Sequence, residues 1–140
     1  MSDFFAGQGL LINGVTHLAP REALAAIERG ALLVDIREEL ELGMKGFDVP
    51  EVAFVANSTL RAAFGQLPRE RPLILADSVG LRIREAPAFL QRQGYADVAS
   101  LNGGIVDWEG AGLPTRTGEL WGGQCPCQLK PRLPEGGGSR

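Results

Sequence analysis

The stretch "DSVGLR", Asp77 to Arg82, follows the apolar run "RPLILA" and leads into residues with helical spacing. A loop of backbone N–H groups at a helix start is suited to an anion. Its first residue, Asp77, is itself a fixed negative charge. A second apolar run, "ALLVDI", ends at Asp35, with Arg37 two residues on. The third candidate is "WGGQCPCQL", which holds Cys125 and Cys127, the only cysteines in the chain. Thiols at this spacing can serve as nucleophiles, as a carrier and its resolving partner, or as soft-metal ligands.

For Asp77, an acidic cap that satisfies the loop N–H groups outweighs a ligand for a cation or a polar partner. Asp35, Arg37 and Arg82 read first as residues that support the loop by pairing with neighbours. The cysteine pair supports three readings. It is a plain tail with inert thiols, a sulfur-handling site in which one Cys takes sulfur and the other resolves it, or a copper(I) site completed by His17. Zinc would want four ligands, so no metal site is assigned, and no cofactor is called for. A Cys125–Cys127 disulfide is disfavoured by Pro126 and the short spacing.

The elements that must position these groups follow from periodicity. "LAPREALAAIERG" predicts a helix with Pro20 in its first turn and Gly30 as its stop. "ALLVDI", "EVAFVAN", "RPLILA" and "ADVASL" predict buried strands. "LRAAFGQL" reads as a short helix capped by Ser58 or Thr59. A further helix spans roughly 81–93, with Pro87 as a blemish within it. "NGGIVDWEGAGLP" reads as a Gly-opened helix closed by Gly112 and Pro114.

Strands alternating with helices imply an α/β fold with a mostly parallel central sheet covered by helices on both faces. Sites in such sheets gather at the carboxyl ends of strands, where Asp35, Arg37 and the 77–82 loop lie. The helix containing Trp108 is expected to run away from this end and leave Pro114 at the far end of the sheet. Eleven residues separate Pro114 from Cys125, a reach of at most about 36 Å against a strand length of about 20 Å. The cysteines are therefore within tether range of the loop, and equally of a partner.

The chain has 140 residues, 44% hydrophobic and 22% charged, with a formal net charge of -3. That suits one globular domain and offers no basic stripe for nucleic acid. No apolar run approaches the roughly 20 residues of a membrane span, and the N-terminus makes a poor signal peptide. The expected setting is cytoplasmic.

"LLVDIRE", "PLILADSVGLR", "FLQRQGYADVASLNGGIVDW" and "GLP", in this order and spacing, resemble the rhodanese-like domain over residues 16–114. The matching positions are Asp35 and Arg37, Gly80 and Arg82, Gly94-Tyr95, Leu101 with Gly103-Gly104, and Trp108 before Gly112 and Pro114. The resemblance implies a rhodanese-like α/β fold and a six-residue active-site loop made of Asp77, Ser78, Val79, Gly80, Leu81 and Arg82. Active members are sulfurtransferases whose loop Cys carries a persulfide. Here Asp77 stands at that position, and a carboxylate cannot carry a persulfide.

The expected organisation is an N-terminal segment 1–15, the domain 16–114, and a Gly/Pro-rich tail 115–140 bearing Cys-Pro-Cys. The expected function is a non-catalytic binding or regulatory module in sulfur metabolism, with a protein partner or a sulfur donor or acceptor. The alternatives are a sulfurtransferase or sulfur carrier acting through Cys125 and Cys127, and copper binding by that pair.

Overall fold

The computed structural model describes residues 4–5, 7–12, 14–38, 45–78 and 85–117. Its strands are β1 (Leu10–Ile12), β2 (Val15–Leu18), β3 (Leu32–Asp35), β4 (Lys45–Phe47), β5 (Val52–Phe54), β6 (Leu73–Ala76), β7 (Val98–Leu101) and β8 (Thr115–Thr117). Its α-helices are α1 (Pro20–Glu28), α2 (Leu60–Ala63), α3 (Ala86–Arg92) and α4 (Gly104–Gly110). The main sheet has the order β1-β2-β7-β6-β3-β5, and β4 pairs with β8 in a separate ribbon. All pairings in the main sheet are parallel except β1 with β2.

Both faces of the sheet are covered, which explains why its central strands read as unbroken apolar runs. The pleat sends Leu33, Ile74, Ala76, Ala99 and Leu101 into one cluster with Ala23 and Ala26 of α1 and Ile105 and Trp108 of α4. Leu32, Val34, Leu73, Leu75 and Val98 point the other way, against Leu60 and Ala63 of α2 and Phe89 and Leu90 of α3. Tyr95 joins this second cluster, and its hydroxyl lies 2.8 Å from the carbonyl oxygens of both Phe64 and Leu67.

Pro87 causes no break, because α3 begins at Ala86 and the proline falls in its first turn, where no N–H partner is needed. The expected hydroxyl cap on α2 is corrected: neither Ser58 nor Thr59 caps it. Thr59 Oγ1 donates to the Ala56 carbonyl, and Ser58 Oγ donates to Glu38. The β1–β2 hairpin and the β4–β8 ribbon were not among the expected strands.

Arg21, in the first turn of α1, donates to the Ala111 carbonyl at 2.8 Å, which ties the end of α4 to the start of α1. Seven residues give α4 a length of only about 10 Å. Beyond α4, Trp108 Nε1 donates to the Pro114 carbonyl at 2.8 Å, and the Asp48 N–H donates to the same oxygen at 3.1 Å. These bonds lead the chain into β8 beside β4.

Candidate functional site

The carboxyl ends of β3 and β6 lie side by side, Asp35 being paired with Ala76. The Ile36 N–H donates to the Ala76 carbonyl at 2.8 Å, so the chain leaves β3 hugging its neighbour. Arg37 then folds back onto Asp35. Its Nε lies 3.0 Å from Oδ1, its Nη2 lies 2.9 Å from Oδ2, and its backbone N–H reaches Oδ1 at 3.1 Å. This bidentate fork is buried, with side chains 2% and 0% exposed, and planar matching of guanidinium to carboxylate is the strong form of such a pair. The guanidinium carbon also stands 5.7 Å from the centroid of the Phe47 ring. Glu38, next along, accepts from both the backbone N–H and the hydroxyl of Ser58, which ties the rim of β3 to the turn after β5.

Asp77 is the first residue beyond β6 and is fully buried. Its backbone carbonyl accepts the Ile105 N–H at 2.8 Å, and the Ser78 carbonyl accepts the Val106 N–H at 3.1 Å. Two successive donors of the first turn of α4 thus hold the start of the loop. The approach requires glycine: a Cβ on Gly104 would stand 2.4 Å from both the Asp77 and the Ser78 carbonyl oxygens. Gly103 and Gly104 both have positive φ, 81° and 63°, which glycine adopts freely.

Trp108 is fully buried and meets Phe47 edge to face with centroids 5.3 Å apart. It fixes α4 against β4, and Lys45 of β4 forms an ion pair with Glu109 of α4. The structure therefore brings Asp35, Arg37, Asp77 and Ser78 to one end of the sheet. Val79, Gly80, Leu81 and Arg82 lie outside the described residues, as do Cys125 and Cys127. His17 Nδ1 lies 2.7 Å from Ser100 Oγ, across the β2–β7 register. Among the described residues no cluster of three or more His, Cys, Asp or Glu side chains could hold a metal ion, and no helix is long and apolar enough to cross a membrane.

The expected Gly-opened start of this helix has a closer role at Gly104, which lets the helix start touch the loop backbone. The glycine doublet at the helix start was the available signal. The Glu38–Ser58 and Lys45–Glu109 links had none, because each joins residues distant in sequence.

The family model described as the rhodanese-like domain matches residues 19–111. A protein named sulfurtransferase from Allochromatium vinosum is 31% identical over 104 residues, covering 74% of this chain and 94% of its own. The thiosulfate sulfurtransferase GlpE of Haemophilus influenzae is 32% identical over 102 residues, covering 72% and 94%. Among solved structures, a rhodanese-related protein from Thermoplasma volcanium superposes with a TM-score of 0.63 at 23% identity, covering 71% of this chain and 96% of its own.

Proposed function

The chain belongs to the rhodanese-like domain family, and from that membership we propose that it is a binding or regulatory module of sulfur metabolism whose own loop carries no persulfide. The observation that carries this reading is the burial of Asp77 at the carboxyl end of β6, with its carbonyl held by α4. By resemblance this is the position of the sulfur-bearing Cys. A carboxylate there offers no sulfur nucleophile, and it supplies the negative charge that the loop would otherwise recruit. On this reading the loop is plugged by an internal anion, and the module works by engaging a protein partner or a sulfur donor or acceptor.

The second reading is a sulfurtransferase or carrier that acts through the tail. It is favoured by the presence of the chain's only thiols at Cys125 and Cys127, together with the sulfurtransferase names of the relatives.

One experiment separates the two. The full chain is incubated with thiosulfate or a persulfide donor and weighed intact, beside a variant carrying Cys125→Ser and Cys127→Ser. The module reading expects no sulfur adduct on the wild type. A cysteine-dependent adduct of one sulfur atom, with turnover, would overturn it in favour of the carrier.

A further inference from the structure

Four large apolar side chains are exposed among the described residues, and three are consecutive: Leu10 at 64%, Leu11 at 73% and Ile12 at 48%. They make up the whole of β1, the outermost strand of the main sheet. The opposite edge is different, since Val52, Ala53 and Phe54 of β5 are all buried. The fold thus covers one edge of its sheet and leaves the side chains of the other exposed. Open edges are commonly blunted by charged residues or proline. The sequence from Phe4 to Ala19 holds no Asp, Glu, Lys, Arg or Pro.

β1 pairs antiparallel with β2, with Leu10 opposite His17, Leu11 opposite Thr16 and Ile12 opposite Val15. Two residues of sequence lie between the last pair. In a two-residue hairpin the closing pair is the hydrogen-bonded one, and bonded and non-bonded pairs alternate from there. Leu11 therefore turns its N–H and C=O away from β2, toward the open edge. The pleat sets Leu10 and Ile12 on one face of the sheet and Leu11 on the other.

We propose that the edge of β1 pairs with β1 of a second copy of this chain, antiparallel about a two-fold axis at Leu11. Self-complementarity selects this occupant. In that register the two Leu11 residues exchange N–H and C=O, and Leu10 of each copy faces Ile12 of the other. All six exposed side chains gain an apolar cross-strand neighbour from one operation, and no charge on either strand opposes the approach. Three residues a side fall far short of the roughly 20–30 of a standard interface, so the dimer is weak, with a dissociation constant of about 0.1–1 mM. β1 lies outside the residues matched by the family model, and the inference stands apart from the module reading.

Sedimentation of the full chain under reducing conditions, from about 10 μM to about 1 mM, tests the association. The weight-average mass should climb from monomer toward dimer across that range. Leu11→Lys places a charge on the axis and removes no buried contact, so it should melt like the wild type and stay monomeric. A wild type that is still monomeric at the highest concentration would overturn the pairing, and so would association that Leu11→Lys leaves unchanged. Disulfide trapping reads the register, in a chain that also carries Cys125→Ser and Cys127→Ser. Position 11 meets its own copy with Cα atoms about 5.5 Å apart, within bridging range, whereas position 10 meets position 12. Leu11→Cys should therefore form a covalent dimer at least about tenfold faster than Leu10→Cys or Ile12→Cys alone, and mixing those two should restore the rate. Equal rates at all three positions would overturn the two-fold at Leu11.

Discussion

Gly104 approaches Asp77 so closely that any Cβ at that position would enter the space of the Asp77 carbonyl oxygen, 2.4 Å away. The contact links the end of β6 to the start of α4, and through Trp108 and Lys45 to the β4–β8 ribbon. The start of the loop therefore rests against one residue without a side chain.

Gly104→Ala should destabilise the fold by about 3 kcal/mol, the sum of a left-handed backbone penalty and a clash with fixed carbonyls. Gly112→Ala is the comparison. That glycine also has positive φ, 82°, but a Cβ there meets nothing within 4 Å, so its cost should stay near 1–2 kcal/mol. Urea midpoints at unchanged slope give the difference. Equal losses would mean that the loop backbone does not rest on Gly104.

Asp35 and Arg37 allow a sharper test of burial. Asp35→Asn removes the carboxylate from the buried fork with Arg37 and should cost about 3–5 kcal/mol. Replacing both at once, with Asp35→Leu and Arg37→Met, should cost clearly less than the sum of the two single changes, because no charge is then stranded. Additive losses in chemical denaturation would show that the fork contributes nothing as a pair.

The sheet and the placement of Asp35, Arg37 and Asp77 at its carboxyl end were legible because buried parallel strands leave long apolar runs that end in polar residues. "ALLVDIR" and "PLILADS" are of that kind. The strands Lys45–Phe47 and Thr115–Thr117 left no such trace: their pairing is set by Trp108 and Phe47, far apart in sequence. The Arg21 bond to Ala111 was equally invisible, since it spans ninety residues. The role of Asp77 rested on resemblance to a family motif, because an acidic residue at a strand end is by itself only a cap.

Tyr95 gives the fold a pH dependence that is separate from the site. Burial raises its phenol above the usual 10.0, and the Arg69 guanidinium over the ring offsets part of that rise. The raised value means that the native state holds its proton more tightly than the unfolded chain. The associated stability is complete below about pH 10 and is lost as pH climbs through the native value. Tyr95→Phe removes the hydroxyl that serves two carbonyls and should cost about 1–2 kcal/mol at neutral pH. It should also flatten the alkaline fall in melting temperature. An unchanged alkaline slope would assign that fall to other groups.

The plugged-loop reading makes its strongest prediction at position 77 itself. Asp77→Asn removes the internal anion while keeping size and shape, so sulfite or thiosulfate affinity should rise at least about tenfold, ~1.4 kcal/mol, by calorimetry. No gain would mean that the carboxylate does not occupy the anion's place. On the same reading, Asp77→Cys goes further by supplying a nucleophile at the loop. Its thiolate would attack the outer sulfur of thiosulfate and release sulfite with the bonding electron pair. Cyanide would then take that sulfur away as thiocyanate, returning the thiolate. The wild type should form no thiocyanate through its loop, and the variant should form it steadily, with a one-sulfur adduct mapped to position 77 before cyanide is added. A variant that melts like the wild type yet takes up no sulfur would show that more than the nucleophile separates this loop from those of sulfur-transferring relatives.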